Sequence, residues 1–248
     1  SFAGMAIKLD SAYQLLWANA IHADSATVRF SRIGPFTPGR YLAVGGVIDE
    51  SPALTDENYF IAKLNAHTGL LEDYVAFGGQ GGDLASQFIY LPQQQQVFVA
   101  GAAQSFGTQH HGIYVMALDT GLNKVWSQVI DGPVTDHPTA LHLVNGELVL
   151  AGQSNGWGGG SYDMFIARMS LSGSLLDFRT IELPGEMTFP NSVHILPDGN
   201  ILMGGFALNL ENFLLETDLL GQVHWAYTYP TGQDGLVANT DKYSKTCP

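Results

Sequence analysis

One six-letter pattern, written five times, constrains this chain more than any other feature. Residues 5–10, "MAIKLD", recur as "FIAKLN" (60–65), "YVMALD" (114–119), "FIARMS" (165–170) and "FLLETD" (213–218). The copies end at residues 10, 65, 119, 170 and 218, which are 55, 54, 51 and 48 residues apart. Self-similarity at such a period marks a repeat architecture, in which each copy is one supersecondary unit stacked on its neighbours. A second element follows every copy: "LLW" (15–17), "LLE" (70–72), "KVW" (124–126), "LLD" (175–177) and "VHW" (223–225). The turns between them, such as "NAHTG" and "SLSG", carry Asn and Gly, residues that tolerate positive φ. A third element is an apolar strand running into a small-residue stop, as in "YLAVGG" (41–46), "VFVAG" (97–101), "LVLAG" (148–152) and "ILMGG" (201–205). A fourth precedes it, as in "QFIYLPQQ" (87–94), "ALHLVNG" (140–146) and "SVHILPDG" (192–199).

Each unit is therefore four short strands of period-2 alternation in about 50 residues, with no 3.6-residue periodicity. Five such units predict an all-β fold, a five-bladed β-propeller of four-stranded antiparallel blades forming one domain over 1–248. If each blade begins with its "SVHIL"-type inner strand, the first complete blade starts near Thr27. "MAIKLD" and "LLWANAI" are then the outer pair of a blade that lacks its inner pair. The tail "DGLVANTDKYSKTCP" (234–248) occupies the place of the fifth inner strand, and no fifth "xxAGG" copy exists. One blade would be shared by the two termini.

Composition narrows the functions. Hydrophobic residues make up 46% and charged residues 13%, which excludes disorder. Ten basic residues against 23 acidic ones leave a net charge of −13, too few cations for a phosphate-binding face, so no nucleic-acid partner is expected. No apolar run approaches the length of a membrane-spanning helix, and no membrane insertion is expected. The single cysteine, Cys247, can form neither an internal disulfide nor a Cys-based metal site. The start "SFAGMAIK" fits a processed mature chain or a fragment.

The stretch 56–101, "DENYFIAKLNAHTGLLEDYVAFGGQGGDLASQFIYLPQQQQVFVAG", resembles the bacterial SBBP-type β-propeller repeat, which reads approximately D-x-F-(V/I)-A-K-L-(N/D), then G-x-L-x-W, GG, D, and a strand ending in (T/A)-G. The resemblance is strongest in the second unit and weakest in the fifth. It implies a propeller from an exported or surface bacterial protein, commonly non-enzymatic, and transfers no catalytic residue. Function has to be argued from a site.

Several residues could build one. The segments before the inner strands hold Asp24, Asp83, Asp136, Glu186 and Asp234, one acid per blade. They could ring a channel mouth and hold a cation or sugar hydroxyls, or they could simply cap turns. An enzymatic alternative takes Asp83, Asp136 and Glu186 as the carboxylates of a glycoside hydrolase. His110, His111 and the pair Asp136–His137 are a usable metal set in residue type, but lack H-x-H or H-E-x-x-H spacing, and no metal is expected. No P-loop, dinucleotide fingerprint or G-x-S-x-G follows any strand, so no cofactor is expected. The loop "GQSNGWGGGSYD" (152–163) places Trp157 and Tyr162 among small residues, where an aromatic side chain either meets a ligand or folds back on the blade edge. Phe106 lies in the matching loop of the preceding unit, "AAQSFGTQHHG" (102–112). Trp17, Trp126 and Trp225 share one repeat position and are expected to be structural. These features point to a secreted, periplasmic or cell-surface recognition module that binds a protein or glycan through a loop-rich face, with a structural subunit of a larger extracellular assembly as a further alternative.

Overall fold

The computed structural model describes residues 3–22, 26–49, 56–108, 110–157, 162–183, 187–208 and 211–230. Two compact units divide the chain, Ser1–Val129 and Ile130–Pro248. Every described element is a strand. The first unit opens with a hairpin of β1 (Gly4–Leu9) and β2 (Leu15–Ile21). Then come two four-stranded sheets: β3 (Ala26–Pro35), β4 (Arg40–Asp49), β5 (Glu57–Asn65) and β6 (Leu71–Phe77); and β7 (Asp83–Leu91), β8 (Gln96–Ala103), β9 (Gly112–Asp119) and β10 (Lys124–Ile130). The second unit has two more: β11 (Asp136–Val144), β12 (Glu147–Ser154), β13 (Asp163–Met169) and β14 (Leu175–Ile181); and β15 (Thr188–Ile195), β16 (Ile201–Ala207), β17 (Glu211–Thr217) and β18 (Val223–Pro230). In each sheet the strands are antiparallel neighbours in sequence order, the meander of a propeller blade. The expected phase is met: the first four-stranded sheet begins at Ala26, one residue before Thr27.

The repeated hexamer is the third strand of each four-stranded sheet and, in its first copy, β1 of the hairpin, and its last letter has a structural cause. Asp10 Oδ1 accepts the backbone N–H groups of Ala12 (2.8 Å) and Gln14 (2.9 Å). Asn65 does the same for His67 and Thr68, and Asp218 for Leu220 and Gln222. Asp119 Oδ1 accepts from Asn123, and Ser170 Oγ from Ser174. A short side-chain acceptor at this position closes the hairpin between the third and fourth strands, which is why only Asp, Asn or Ser stands there.

The small-residue stop in the second strand has an equally local cause. In all four sheets the first strand is bulged at one place, between Phe30/Arg32, Ala85/Gln87, Pro138/Ala140 and Pro190/Ser192. The bulge drives a backbone carbonyl onto the facing residue of the second strand. A Cβ built on Gly45, Gly101, Gly152 or Gly205 would lie only about 2 Å from that carbonyl oxygen: 1.9 Å from Arg29 O, 2.0 Å from Leu84 O, 2.1 Å from His137 O and 2.1 Å from Phe189 O. Glycine alone fits.

Burial follows the period-2 pattern. In the first unit the two faces of β5 belong to different cores. Phe60, Ala62 and Leu64 pack with Ala6, Trp17 and Ile21 of the hairpin, whereas Tyr59 and Ile61 pack with Ala85, Val99, Tyr114 and Met116 of the next sheet. In the second unit Val149, Ala151, Met164 and Ile166 pack against Val193, Met203, Phe213 and Leu215. The third strands β5, β9 and β13 are thus buried on both faces, each large side chain contributing about 2–3 kcal/mol of transfer free energy.

The repeated tryptophans tie strand ends. Trp17 is buried in the hairpin core and its indole N–H donates to Ala66 O across the neighbouring sheet, at 3.3 Å. Trp225 Nε1 donates to Glu216 Oε2 at 2.8 Å, and Trp126 lies against Phe98.

Candidate functional site

At the end of the strands where β11 begins and β12 finishes, Asp136 and Ser154 face each other in register. Asp136 is fully buried, and its Oδ2 accepts the N–H of Gly132 at 3.0 Å. Ser154 Oγ accepts the N–H groups of Gly156 and Trp157, both at 3.2 Å, and Asn155 N–H donates to Thr135 O at 2.9 Å. These bonds fix the backbone leading into Trp157. The indole leans over Gly132, where an added Cβ would lie 2.4 Å from Nε1, and its ring contacts Phe178 at 5.1 Å between centroids. Phe178 in turn stacks on Phe165. Trp157 remains 39% exposed. One side of the ring is seated on the sheet and the other meets solvent.

A second aromatic run lies at the corresponding end of the next sheet. Tyr162 packs on Phe189 (5.2 Å), and Phe189 stacks on Phe206 (4.8 Å, 16° between planes). Phe206 is also 39% exposed. Tyr162 O accepts the N–H of Thr188 at 2.8 Å, which ties the start of β13 to the start of β15. Trp157, Tyr162, Phe189 and Phe206 thus belong to one end of the second unit's sheets. Phe189 and Phe206 are absent from the sequence-based candidates. They sit inside strands, and only the strand pairing of Phe189 with Phe206 reveals a stacked pair opening to solvent.

The carboxylates are placed differently from a set of exposed ligands. Asp83 is fully buried; its Oδ1 accepts the N–H groups of Gln104 (2.9 Å) and Ser105 (3.1 Å), and its Oδ2 that of Gly79 (3.3 Å). Asp136 repeats the bond to the residue four before it, but there Ser154 receives the loop amides instead. That leaves Asp136 Oδ1 with no hydrogen-bond partner among the described residues. Burial raises the Asp136 carboxyl above its ordinary range, against the opposing pull of Ser154, the Gly132 N–H and Trp157. In the fourth complete sheet Thr188 takes the position, its N–H and hydroxyl both donating to Tyr162 O. Asp24, Glu186 and Asp234 lie outside the described residues. His137 is half-buried beside Asp136 in β11, and burial lowers the pKa of His111. Among the described residues no group of three His, Cys, Asp or Glu side chains could hold a metal ion. Phe106 stacks face to face on Tyr114 at 3.9 Å and is half-buried.

No family model matches the chain. No curated protein matches it. Solved structures resemble it distantly. A proposed 6-phosphogluconolactonase of Bacteroides fragilis superposes with a TM-score of 0.43 at 14% identity, over 82% of this chain and 67% of the other. A β-1,2-mannobiose phosphorylase of Listeria innocua, in complex with β-1,2-mannobiose, gives a TM-score of 0.47 at 15% identity, over 92% of this chain and 67% of the other. Such distant likenesses bear on neither activity nor ligand.

Proposed function

We propose that this protein is a non-enzymatic recognition module that binds a glycan through the aromatic end of its second unit. The observation that carries the reading is the state of Trp157: half-exposed, yet held by Ser154, by its neighbours over Gly132 and by Phe178. A pre-ordered aromatic face loses little side-chain entropy on binding, and flat rings stack well on the C–H faces of pyranose sugars. Phe206 and Tyr162 belong to a second aromatic run at the same end of the unit's sheets. The wider setting we propose is a five-bladed propeller of the SBBP-repeat type, secreted, periplasmic or on the cell surface. In it β1 and β2 form the outer pair of the fifth blade, and the tail 234–248 its inner strand.

A glycan array probed with the chain and with Trp157→Ala tests the function. The variant is expected to lose at least tenfold in affinity for whichever glycan the chain retains, while melting like the parent. Equal retention by both proteins removes Trp157 from the site. The protein-partner reading takes over if no glycan is retained.

A further inference from the structure

The acid beneath the Trp157 ring is bonded differently from its counterpart at the same repeat position. Asp83 and Asp136 each open the first strand of a sheet, and each accepts the N–H of the residue four before it. Asp83 fills its other oxygen with the N–H groups of Gln104 and Ser105. At Asp136 the loop amides of Gly156 and Trp157 go to Ser154 Oγ instead. The Asp136 side chain is fully buried, yet its Oδ1 has no hydrogen-bond partner among the described residues.

Trp157 stands over the other oxygen. A Cβ built on Gly132 would lie 2.4 Å from Trp157 Nε1 and 2.6 Å from Asp136 Oδ2, so the indole nitrogen and the carboxylate oxygen meet above one glycine. An indole N–H can only donate, and an ionised carboxylate can only accept. Hydrogen bonding by Ser154, Gly132 and Trp157 favours the charged carboxyl, while burial and the charge of Asp131 disfavour it. Among the described residues at this end of β11 and β13, the other titratable side chains are His137, next to Asp136, and Asp163, which faces Ser154 across the ladder.

We propose that Asp136 is the positioning residue of the Trp157 face: its ionised carboxylate grips the indole N–H and holds the ring in place, and a proton taken from solvent onto Oδ1 loosens that grip. The proton goes to Oδ1 because Oδ2 is already engaged by the Gly132 N–H. Oδ2 then accepts as a neutral carbonyl, and a hydrogen bond to a neutral acceptor is roughly half as strong as one to a carboxylate. The difference corresponds to about a fivefold change in how often the indole N–H is released. The coupling is reciprocal: the seated indole favours ionisation, so removing its N–H raises the carboxyl's pKa further. The inference rests on the reading of Trp157 as a glycan-binding face, and adds that the face is best ordered above the pH at which Asp136 titrates.

The test follows the indole N–H resonances of the 248-residue chain by NMR from about pH 4 to about pH 8. Trp157 is assigned by the signal lost in Trp157→Phe. Its resonance should shift with a single midpoint above about pH 3.9, and in Asp136→Asn it should stay at its acid position throughout. Trp17, which donates to the backbone carbonyl of Ala66, should not follow that shift. Trp225 donates to Glu216, whose carboxyl is held low by His224 and Trp225, and should move only at lower pH. On the alkaline side the Trp157 indole proton should exchange with solvent about fivefold more slowly in the parent than in Asp136→Asn. A Trp157 resonance that does not titrate, or that titrates equally in Asp136→Asn, would overturn the proposal. Should Asp136→Asn fail to fold, the Asp136 carboxyl resonance in Trp157→Phe decides the matter. Its midpoint should rise relative to the parent, and an unchanged midpoint would overturn the proposal. No glycan is present in these measurements, so failure of this positioning role and failure of glycan binding are separate outcomes.

Discussion

Gly204 and Gly205 are neighbours in β16, and the structure assigns them opposite sensitivities. A Cβ on Gly205 would sit 2.1 Å from Phe189 O and 2.8 Å from Pro190 Cα, both backbone atoms of the bulge in β15. Neither atom can rotate away, so relief requires separating β15 from β16 where the register shifts. Overpacking of this kind costs about 3 kcal/mol. For a chain of this size that is a drop in Tm of about 6–12 °C. A Cβ on Gly204 points to the other face of the strand. It would meet Leu214 Cδ1 at 3.5 Å and Phe213 O at 3.8 Å, ordinary van der Waals contact. Gly204→Ala should lie within about 0.5 kcal/mol of the parent, or stabilise slightly by restricting the unfolded chain. Thermal and urea unfolding of both variants, followed by circular dichroism, make the comparison. Equal losses for the two, or a neutral Gly205→Ala, would refute the explanation of the repeated glycine as a contact with the bulge carbonyl. The same argument extends to Gly45, Gly101 and Gly152.

Two further outcomes are expected. Asp83→Ala leaves the N–H groups of Gly79, Gln104 and Ser105 without their acceptor and should cost about 3 kcal/mol in urea unfolding; a loss under about 1 kcal/mol would mean water replaces the carboxylate easily. Asp136 behaves differently, because burial raises its carboxyl pKa and the folded state keeps the proton to higher pH than the unfolded chain does. The stability from that difference is complete below the unfolded value, about 3.9, and is lost as pH rises through the folded one. Asp136→Asn should therefore flatten the decline in stability above about pH 4 and be at least as stable as the parent at pH 7. A variant with the parent's slope would show that Asp136 does not titrate in this way.

The strand meander and its phase are legible in the sequence because both rest on local chemistry. Asp10, Asn65, Asp119, Ser170 and Asp218 are one repeated turn acceptor, and the stop glycines are one repeated close approach. The candidate site is legible only in part. Trp157 stands out because Gly and Ser surround it, and Tyr162 because it shares that loop. Phe189 and Phe206 read as ordinary strand aromatics, since their stacking depends on a cross-strand register that no single strand encodes. The acids show a further limit. Asp83 and Asp136 occupy the same repeat position, yet one carboxylate takes three amides and the other only one. The difference follows from the residue facing each across the ladder, Ala103 in one case and Ser154 in the other. The long-range pairing sets the chemistry of the acid.

The most direct test of a glycan-binding aromatic face is thermal melting of the 248-residue chain against a panel of soluble glycans, with Trp157→Ala beside it. A ligand that binds only the folded state raises the midpoint, by about 2.7 kcal/mol of stabilisation at a hundred times its Kd. The account predicts that at least one glycan shifts the parent and shifts Trp157→Ala by clearly less. A flat panel for the parent, or an equal shift in both proteins, would contradict it.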